Sequence, residues 1–214
     1  MADDNILKAV TTALSESKVR ERKFSQTVDL AINLRNVDLS IPKNRIEEEV
    51  PLPFGRGKPV KIGIFASGDL AARSKSVADV VITPEQIAEF ASDKKSFKKL
   101  VNSTTFFLAE APLMPSIGKS LGVVLGPRGK MPRPVPPNSD PSAAVENLRK
   151  TIKVRSKDRA TFHTPVGTET MKPEEIAENI GLILKRVEAK LEQGRMNIRS
   201  AFVKTTMGPA VKVI

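Results

Sequence analysis

The chain carries one histidine, His163, and no cysteine, which sets the first limit on its chemistry. Thiolate catalysis, iron–sulfur ligation, disulfide staples and cysteine zinc fingers are excluded. One imidazole cannot build a multi-histidine metal site and gives weak support to a Ser/His/Asp arrangement. SIGKS (116–120) has the closing residues of a phosphate-binding loop, whose glycines present N–H groups and whose lysine reaches terminal phosphates. The leading glycine would fall at Leu113, and Pro112 and Pro115 stiffen the stretch that should wrap the phosphate, so an ordinary helix entry is the better reading. The S-x-x-K matches at Ser15 to Lys18 and Ser92 to Lys95 are only two residues deep and carry no catalytic role.

Three other stretches suit binding. LGPRGKMPRP (125–134) concentrates Arg128, Lys130 and Arg133 on a backbone of glycines and prolines. Glycine permits close approach and proline lowers the ordering entropy of an exposed loop, which fits phosphate contact; a solvated connector fits equally. TTMGPA (205–210) places two hydroxyls, a flexible glycine and a rigid proline between strand patterns, either as a plain hairpin turn or as a tight surface against a sugar-phosphate backbone. FHTPVG (162–167) reads as a hairpin strand and turn, with His163 satisfied by a neighbour.

The elements that position these stretches follow from hydrophobic period. Asn5 to Lys18 carries Ile6, Ala9, Val10, Ala13 and Leu14 at helical spacing, and Val28, Leu30, Ile32 and Leu34 alternate with smaller or polar residues as a half-buried strand does. Glu47 to Leu52 adds a strand before the turn PFGRGKP. From Val60, VKIGIF, DLAARSK, DVVI, PEQIAEFA and TFFLAE read as small strand and helix units, which predicts a mostly parallel sheet with covering helices. The chain after Leu125, rich in prolines to Pro137 and Pro141, reads as an irregular basic loop. IKV and TFHT on either side of RSKDR predict a hairpin with a charged tip. A helix follows from about Lys172 to Glu192 and stops near Gly194, then strands IRSAFVKT (198–205) and VKVI (211–214).

Composition narrows the partner. In 214 residues, 35 Lys+Arg against 24 Asp+Glu leave a formal charge of +11, which calls for a polyanionic partner or a strongly basic surface. There is no Trp or Tyr and only nine Phe, so aromatic base stacking is not the main mode of recognition, and backbone and shape contacts are favoured. No apolar run approaches twenty residues and the opening MADDNILKAV lacks a basic signal region, so a cytoplasmic protein without a membrane span is expected. Residues 1–59 hold ten basic and nine acidic groups, 60–151 thirteen and eight, and 152–214 twelve and seven, which puts the excess in the second and third sections. The pattern allows the first and third sections to fold together with the middle one inserted between them.

In chain order, KFSQTVDLAINL (23–34), LPFGRGKPVKIGIFA (52–66), LGPRGKMPRP, FHTPVG, KPEEIAENI (172–180) and SAFVKTTMGPAVKV (200–213) resemble the ribosomal protein L-one family of the large-subunit stalk, in its short archaeal type. The resemblance covers essentially the whole chain. It implies an α/β protein of two domains: 1–59 with 152–214 as an open-faced α+β sheet domain that binds RNA, and 60–151 as an inserted Rossmann-like α/β domain. It implies contact with large-subunit ribosomal RNA through Phe24, Ser25, Gln26 and Thr27, through His163 and Gly167, and through Ser200, Thr206, Met207 and Gly208. Ser200 and Thr206 would meet 2′-OH or phosphate groups, Met207 and Gly208 would permit close apposition, and Phe24 would support the surface from beneath. Where the family commonly carries an acid, this chain has Gln26 or Ser25. Arg128, Lys130 and Arg133 form a secondary basic loop with a role in stalk contacts, transfer-RNA contacts or loop geometry. The further implications are release of exit-site transfer RNA, repression of the protein's own messenger RNA, no cofactor, no catalysis, and a monomer when free.

Overall fold

Alternation along residues 27–34 fixes the centre of one sheet: Val28, Leu30 and Ile32 are fully buried while Thr27, Asp29, Ala31 and Asn33 remain partly exposed. The structure is a computed structural model describing residues 2–17, 22–136 and 139–214; Lys18 and Pro137, named above, lie outside them. The elements in chain order are α1 (Ala2–Ser17), β1 (Thr27–Leu34), β2 (Glu47–Pro51), β3 (Ile62–Phe65), α2 (Gly68–Ser74), β4 (Val80–Ile82), α3 (Pro84–Ser92), α4 (Lys94–Ser103), β5 (Phe106–Glu110), α5 (Met114–Leu125), β6 (Arg133–Val135), α6 (Pro141–Lys150), β7 (Thr151–Arg155), β8 (Thr161–Thr168), α7 (Pro173–Lys190), β9 (Ile198–Thr205) and β10 (Ala210–Lys212). They form a mixed α/β protein in two compact units, one of residues 1–58 and 150–214, the other of 59–149.

In the terminal unit, an antiparallel sheet runs in the order β10-β9-β1-β8. α1 and α7 bury their apolar stripes in the same core as the inward face of this sheet, Val10 and Ala13 from one helix and Ile180 and Ile183 from the other. A buried Val, Leu or Ile side chain contributes about 1.5–3 kcal/mol, so a one-residue slip of β1, which would expose Val28, Leu30 and Ile32 together, is strongly disfavoured. The opposite face has no helix partner in the core cluster and carries a polar row. Thr161 Oγ1 donates to Asn33 Oδ1 (2.8 Å) and Asn33 Nδ2 to Ser200 Oγ (2.9 Å).

The expected hairpin around RSKDR does not form. β7 pairs with β2 and β8 with β1, so residues 156–160 pass from one sheet to the other. Charge selects the partner of β7: Lys153 Nζ meets Glu47 at 2.9 Å and Arg155 Nε the same carboxylate at 3.7 Å, and the Lys153 hydrogen bond holds the Glu47 carboxyl below its ordinary range. Nor is FHTPVG a turn. It runs through β8, where register shifts opposite Val28 and Asp29 and leaves Val166 as the extra residue of a bulge. Pro165, which cannot donate to a ladder, sits on this edge strand.

The inserted unit has a four-stranded parallel sheet, β4-β3-β5-β6. Ile62 and Ile64 of β3 join a core with α2 and α6, while Phe65 joins a second core with α3, α4 and α5. Gly63 is required by packing, since a Cβ there would lie 2.7 Å from the Phe107 ring. α4, α6 and β6 are additions to the sequence reading. β6 occupies part of the expected basic loop, with Pro134 tolerated because the strand is at the sheet edge.

Candidate nucleic-acid interface

At the entry to β1 the chain has three polar residues in a row, Ser25, Gln26 and Thr27, and must cross the end of a sheet whose β9–β10 turn contains TTMGP. The two segments are tied by reciprocal bonds. Thr206 N–H donates to the Thr27 carbonyl (3.0 Å), and the Thr27 N–H donates back to Thr206 Oγ1 (3.1 Å). Gln26 is 2% exposed, and its side-chain oxygen accepts from the Met207 N–H (3.0 Å). The Gln26 backbone is in turn held by Glu169: its N–H donates to Glu169 Oε1 (2.9 Å) and its carbonyl accepts from Glu169 N–H (3.1 Å). Lys58 closes the group, donating to Thr27 Oγ1 at 2.7 Å.

Hydrogen bonds of this kind fix the turn while leaving its apolar tips outward. Phe24 is 51% and Met207 57% exposed. Phe24 is therefore on the surface and not beneath it, with a ring free to meet a partner. Gly208 packs closely, since a Cβ there would press on Thr205 Oγ1 and force that hydroxyl to move. Gly167 is buried against Met171 and Ile176, where a Cβ would lie 3.0 Å from Ile176.

The structure thus brings Phe24, Ser25, Gln26, Thr27, Thr206, Met207 and Gly208 to one sheet end, with Gly167 opposite Val28. Gln26 and Gly167 shape this surface from below, since both are buried. His163 pairs with Ala31, four residues further along β1 and so about 13 Å away, and Ser200 pairs with Asn33, about 20 Å away. These two lie along the open face and not in the knot. Asp29 stands between, half-buried. Loss of solvent raises its carboxyl above the ordinary 3.8, against the pull of His163, Lys204 and Lys58.

Sequence reasoning missed Lys58, Glu169 and Arg56. Lys58 and Arg56 had a signal, the basic pair in GRGK, where Gly55 and Gly57 take positive φ of 64° and 71°. Burial holds the Arg56 guanidinium below its ordinary range, and its Nε is buried without a protein partner. Glu169 gave no local signal, because its role depends on β8 ending beside β1.

The basic loop of the inserted unit turns one of its three cations inward. Lys130 Nζ donates to the carbonyls of Val101 and Thr104, both at 2.6 Å, and so caps the C-terminal end of α4; burial, with Arg128 nearby, lowers its pKa. Arg128 caps α5 through Val124 O (3.1 Å) and reaches Asn102 Oδ1 (3.2 Å). Arg133 begins β6 and is exposed. SIGKS lies within α5, where Ser120 Oγ is bonded to the Ser116 carbonyl, so it cradles nothing. The crevice at the carboxyl ends of β3 and β5, where strand order reverses and α/β sheets usually bind ligands, is filled by the chain itself. Glu110, 8% exposed, accepts from Ser67 N–H (3.0 Å) and Ser67 Oγ (2.6 Å).

Among the described residues no group of three or more His, Cys, Asp or Glu could hold a metal ion, and no helix is long and apolar enough to cross a membrane. A sheet end held by side-chain hydrogen bonds in one unit, and in the other a crevice whose backbone is bonded by a carboxylate, belong to a basic protein of two α/β units. The chain belongs to the Ribosomal protein L1p/L10e family, whose model matches residues 14–209. It is 54% identical over 215 residues to the large ribosomal subunit protein uL1 of Methanocella arvoryzae, covering all of both chains. It is 55% identical over 206 residues to that of Thermoplasma acidophilum, covering 95% of each, and 49% identical over 210 residues to that of Haloferax volcanii, covering 98% of each.

Proposed function

We propose that this chain is a structural component of the large ribosomal subunit that binds ribosomal RNA through the sheet end at Thr27 and Thr206. The observation that carries the reading is the hydrogen-bonded knot itself. Gln26, Thr27, Thr206 and Met207 are fixed before any partner arrives, so a folded RNA surface meets pre-paid geometry. Phe24 and Met207 supply apolar contact, while Ser25 and Lys58 offer hydroxyl and cationic contact to 2′-OH and phosphate groups. Ser200 and His163 extend the contact along the open face. In this reading the terminal unit, close to 1–59 with 152–214, is the RNA-binding domain, and 60–151 is a Rossmann-like insertion whose ligand crevice has been given over to Glu110.

The finer parts of the proposal follow the family: a place in the subunit stalk, assistance to release of exit-site transfer RNA, and repression of translation by binding the protein's own messenger RNA. The test is footprinting on large-subunit ribosomal RNA fragments with Thr206→Ala and Met207→Ala. Weakened protection of one folded element, in variants with unchanged thermal unfolding, is the expected result. Full protection with both variants would remove this sheet end from the interface.

A further inference from the structure

The inserted unit gathers its positive charge on one helix. Residues 59–149 hold twelve basic and eight acidic groups, so four lysines equal the whole excess. α4 carries four, Lys94, Lys95, Lys98 and Lys99, all exposed, while Phe97 and Val101 turn into the core. Lys94 and Lys98, like Lys95 and Lys99, stand at i,i+4 spacing, where like charges repel and weaken a helix. Among the described residues no carboxylate lies within ion-pair distance of any of the four ammonium groups. The acid nearest in sequence, Asp93, is engaged as the helix cap, accepting from the N–H groups of Lys95 and Ser96 and from Ser96 Oγ, and is drawn only weakly by Lys99. Glu85 and Glu89 of the preceding α3 are exposed and make no ion pair with them. In the last turn of α4, Asn102 holds Arg128, which extends the cationic surface past the helix.

Unpaired cations on a helix that they destabilise mark a surface whose partner is absent from the free protein. The chemistry is that of point charges. Phe97 is buried and Phe90 packs against it at 5.5 Å, so α4 presents no ring on which a base could stack. We propose that the lysine face of α4 is a second RNA contact, holding the phosphate backbone of a duplex segment without reading its sequence. The identity of the polyanion rests on the RNA-binding reading above; the surface itself uses no residue of the terminal sheet.

The full chain with Lys94, Lys95, Lys98 and Lys99 all changed to Gln is compared with the unaltered protein by fluorescence anisotropy. The probe is a 20-base-pair RNA duplex of unrelated sequence, titrated between 50 and 200 mM salt. Affinity at the lowest salt is expected to fall at least tenfold, and the slope of log affinity against log salt to become shallower by about three. The matching Lys→Arg variant should restore both, and Thr206→Ala should leave duplex binding intact while weakening a ribosomal RNA fragment. An equal loss of charge at Lys43, Lys75, Lys185 and Lys190 should leave the slope nearly unchanged. The proposal is overturned by an unaltered slope in the α4 variant, by an equal effect of the control, or by poly-glutamate binding α4 more tightly than the duplex, which would make the partner an acidic protein. Loss of duplex binding with the α4 variant, together with unchanged binding of the ribosomal RNA fragment by Thr206→Ala, would sink the sheet-end site and leave this one standing.

Discussion

The sheet end at Thr27 and the crevice at Ser67 are both places where backbone N–H groups collect, and the chain satisfies them in opposite ways. At Thr27 the partners lie to the side or beneath: Gln26 and Thr206 bond the backbone, Glu169 and Lys58 brace them, and Phe24 and Met207 are left facing out. At Ser67 the partner is a carboxylate set in the crevice itself, Glu110, which occupies the position an anionic ligand would take. One set of intramolecular bonds holds a surface ready; the other closes a site. The fold of the inserted unit is therefore a poor guide to its use, because a parallel sheet advertises a crevice that its own side chain has filled.

Removing the acceptor beneath the turn gives the largest expected effect. Gln26→Ala orphans the Met207 N–H and frees the turn, a loss of about 1–3 kcal/mol. Affinity for the ribosomal RNA fragment should fall about ten- to a hundredfold by anisotropy. Gln26→Glu keeps an acceptor oxygen at the same place and should retain most of the binding. If Gln26→Ala binds as well as the unaltered chain, the turn is not held ready by this bond and the contrast with Ser67 dissolves.

The reciprocal change belongs to stability. Glu110→Ala leaves Ser67 N–H and Oγ without their acceptor in a part-buried site and should cost about 1–3 kcal/mol in urea unfolding. Affinity for the ribosomal RNA fragment should stay within about twofold, a change worth under 0.5 kcal/mol. A large loss of RNA affinity in a folded Glu110→Ala protein would show the two sites to be coupled.

Much of this was legible in the residues. The alternation of Val28, Leu30 and Ile32 and the 3.6-residue stripe of α7 are local patterns, and both elements stand where period places them. For the basic loop the residues leave phosphate contact and loop geometry both open, because charge alone cannot tell a lysine facing phosphate from Lys130 facing two helix carbonyls. α4 escaped notice for a related reason: its lysines dilute the apolar signal to Phe97, Leu100 and Val101. The pairing of β7 with β2, separated by a hundred residues, left no mark near either strand except opposite charge. In the knot, Phe24 to Thr27 and Thr206 to Gly208 were carried by motif, whereas the service of Glu169 and Lys58 is set by tertiary neighbours.

The smallest effect tests the open face of the terminal sheet, which has no counterpart in the covered sheet of the inserted unit. Asp29 is half-buried there, and desolvation raises its carboxyl above 3.8 despite His163, Lys204 and Lys58. A carboxyl that is raised on folding binds its proton more readily in the folded state, so its charged form opposes folding at neutral pH. That opposition is relieved as pH falls through the raised value and is gone below the unfolded one. Asp29→Asn should therefore stabilise the protein at pH 7, by less than about 1 kcal/mol because solvent still screens the group. The gain should shrink as pH drops and vanish below about 3.8, a profile that urea midpoints at pH 7, 5 and 3 would reveal. A destabilised Asp29→Asn at pH 7 would mean that the attraction of the neighbouring basic side chains outweighs burial, and that the open face is held together by charge as well as by its polar row.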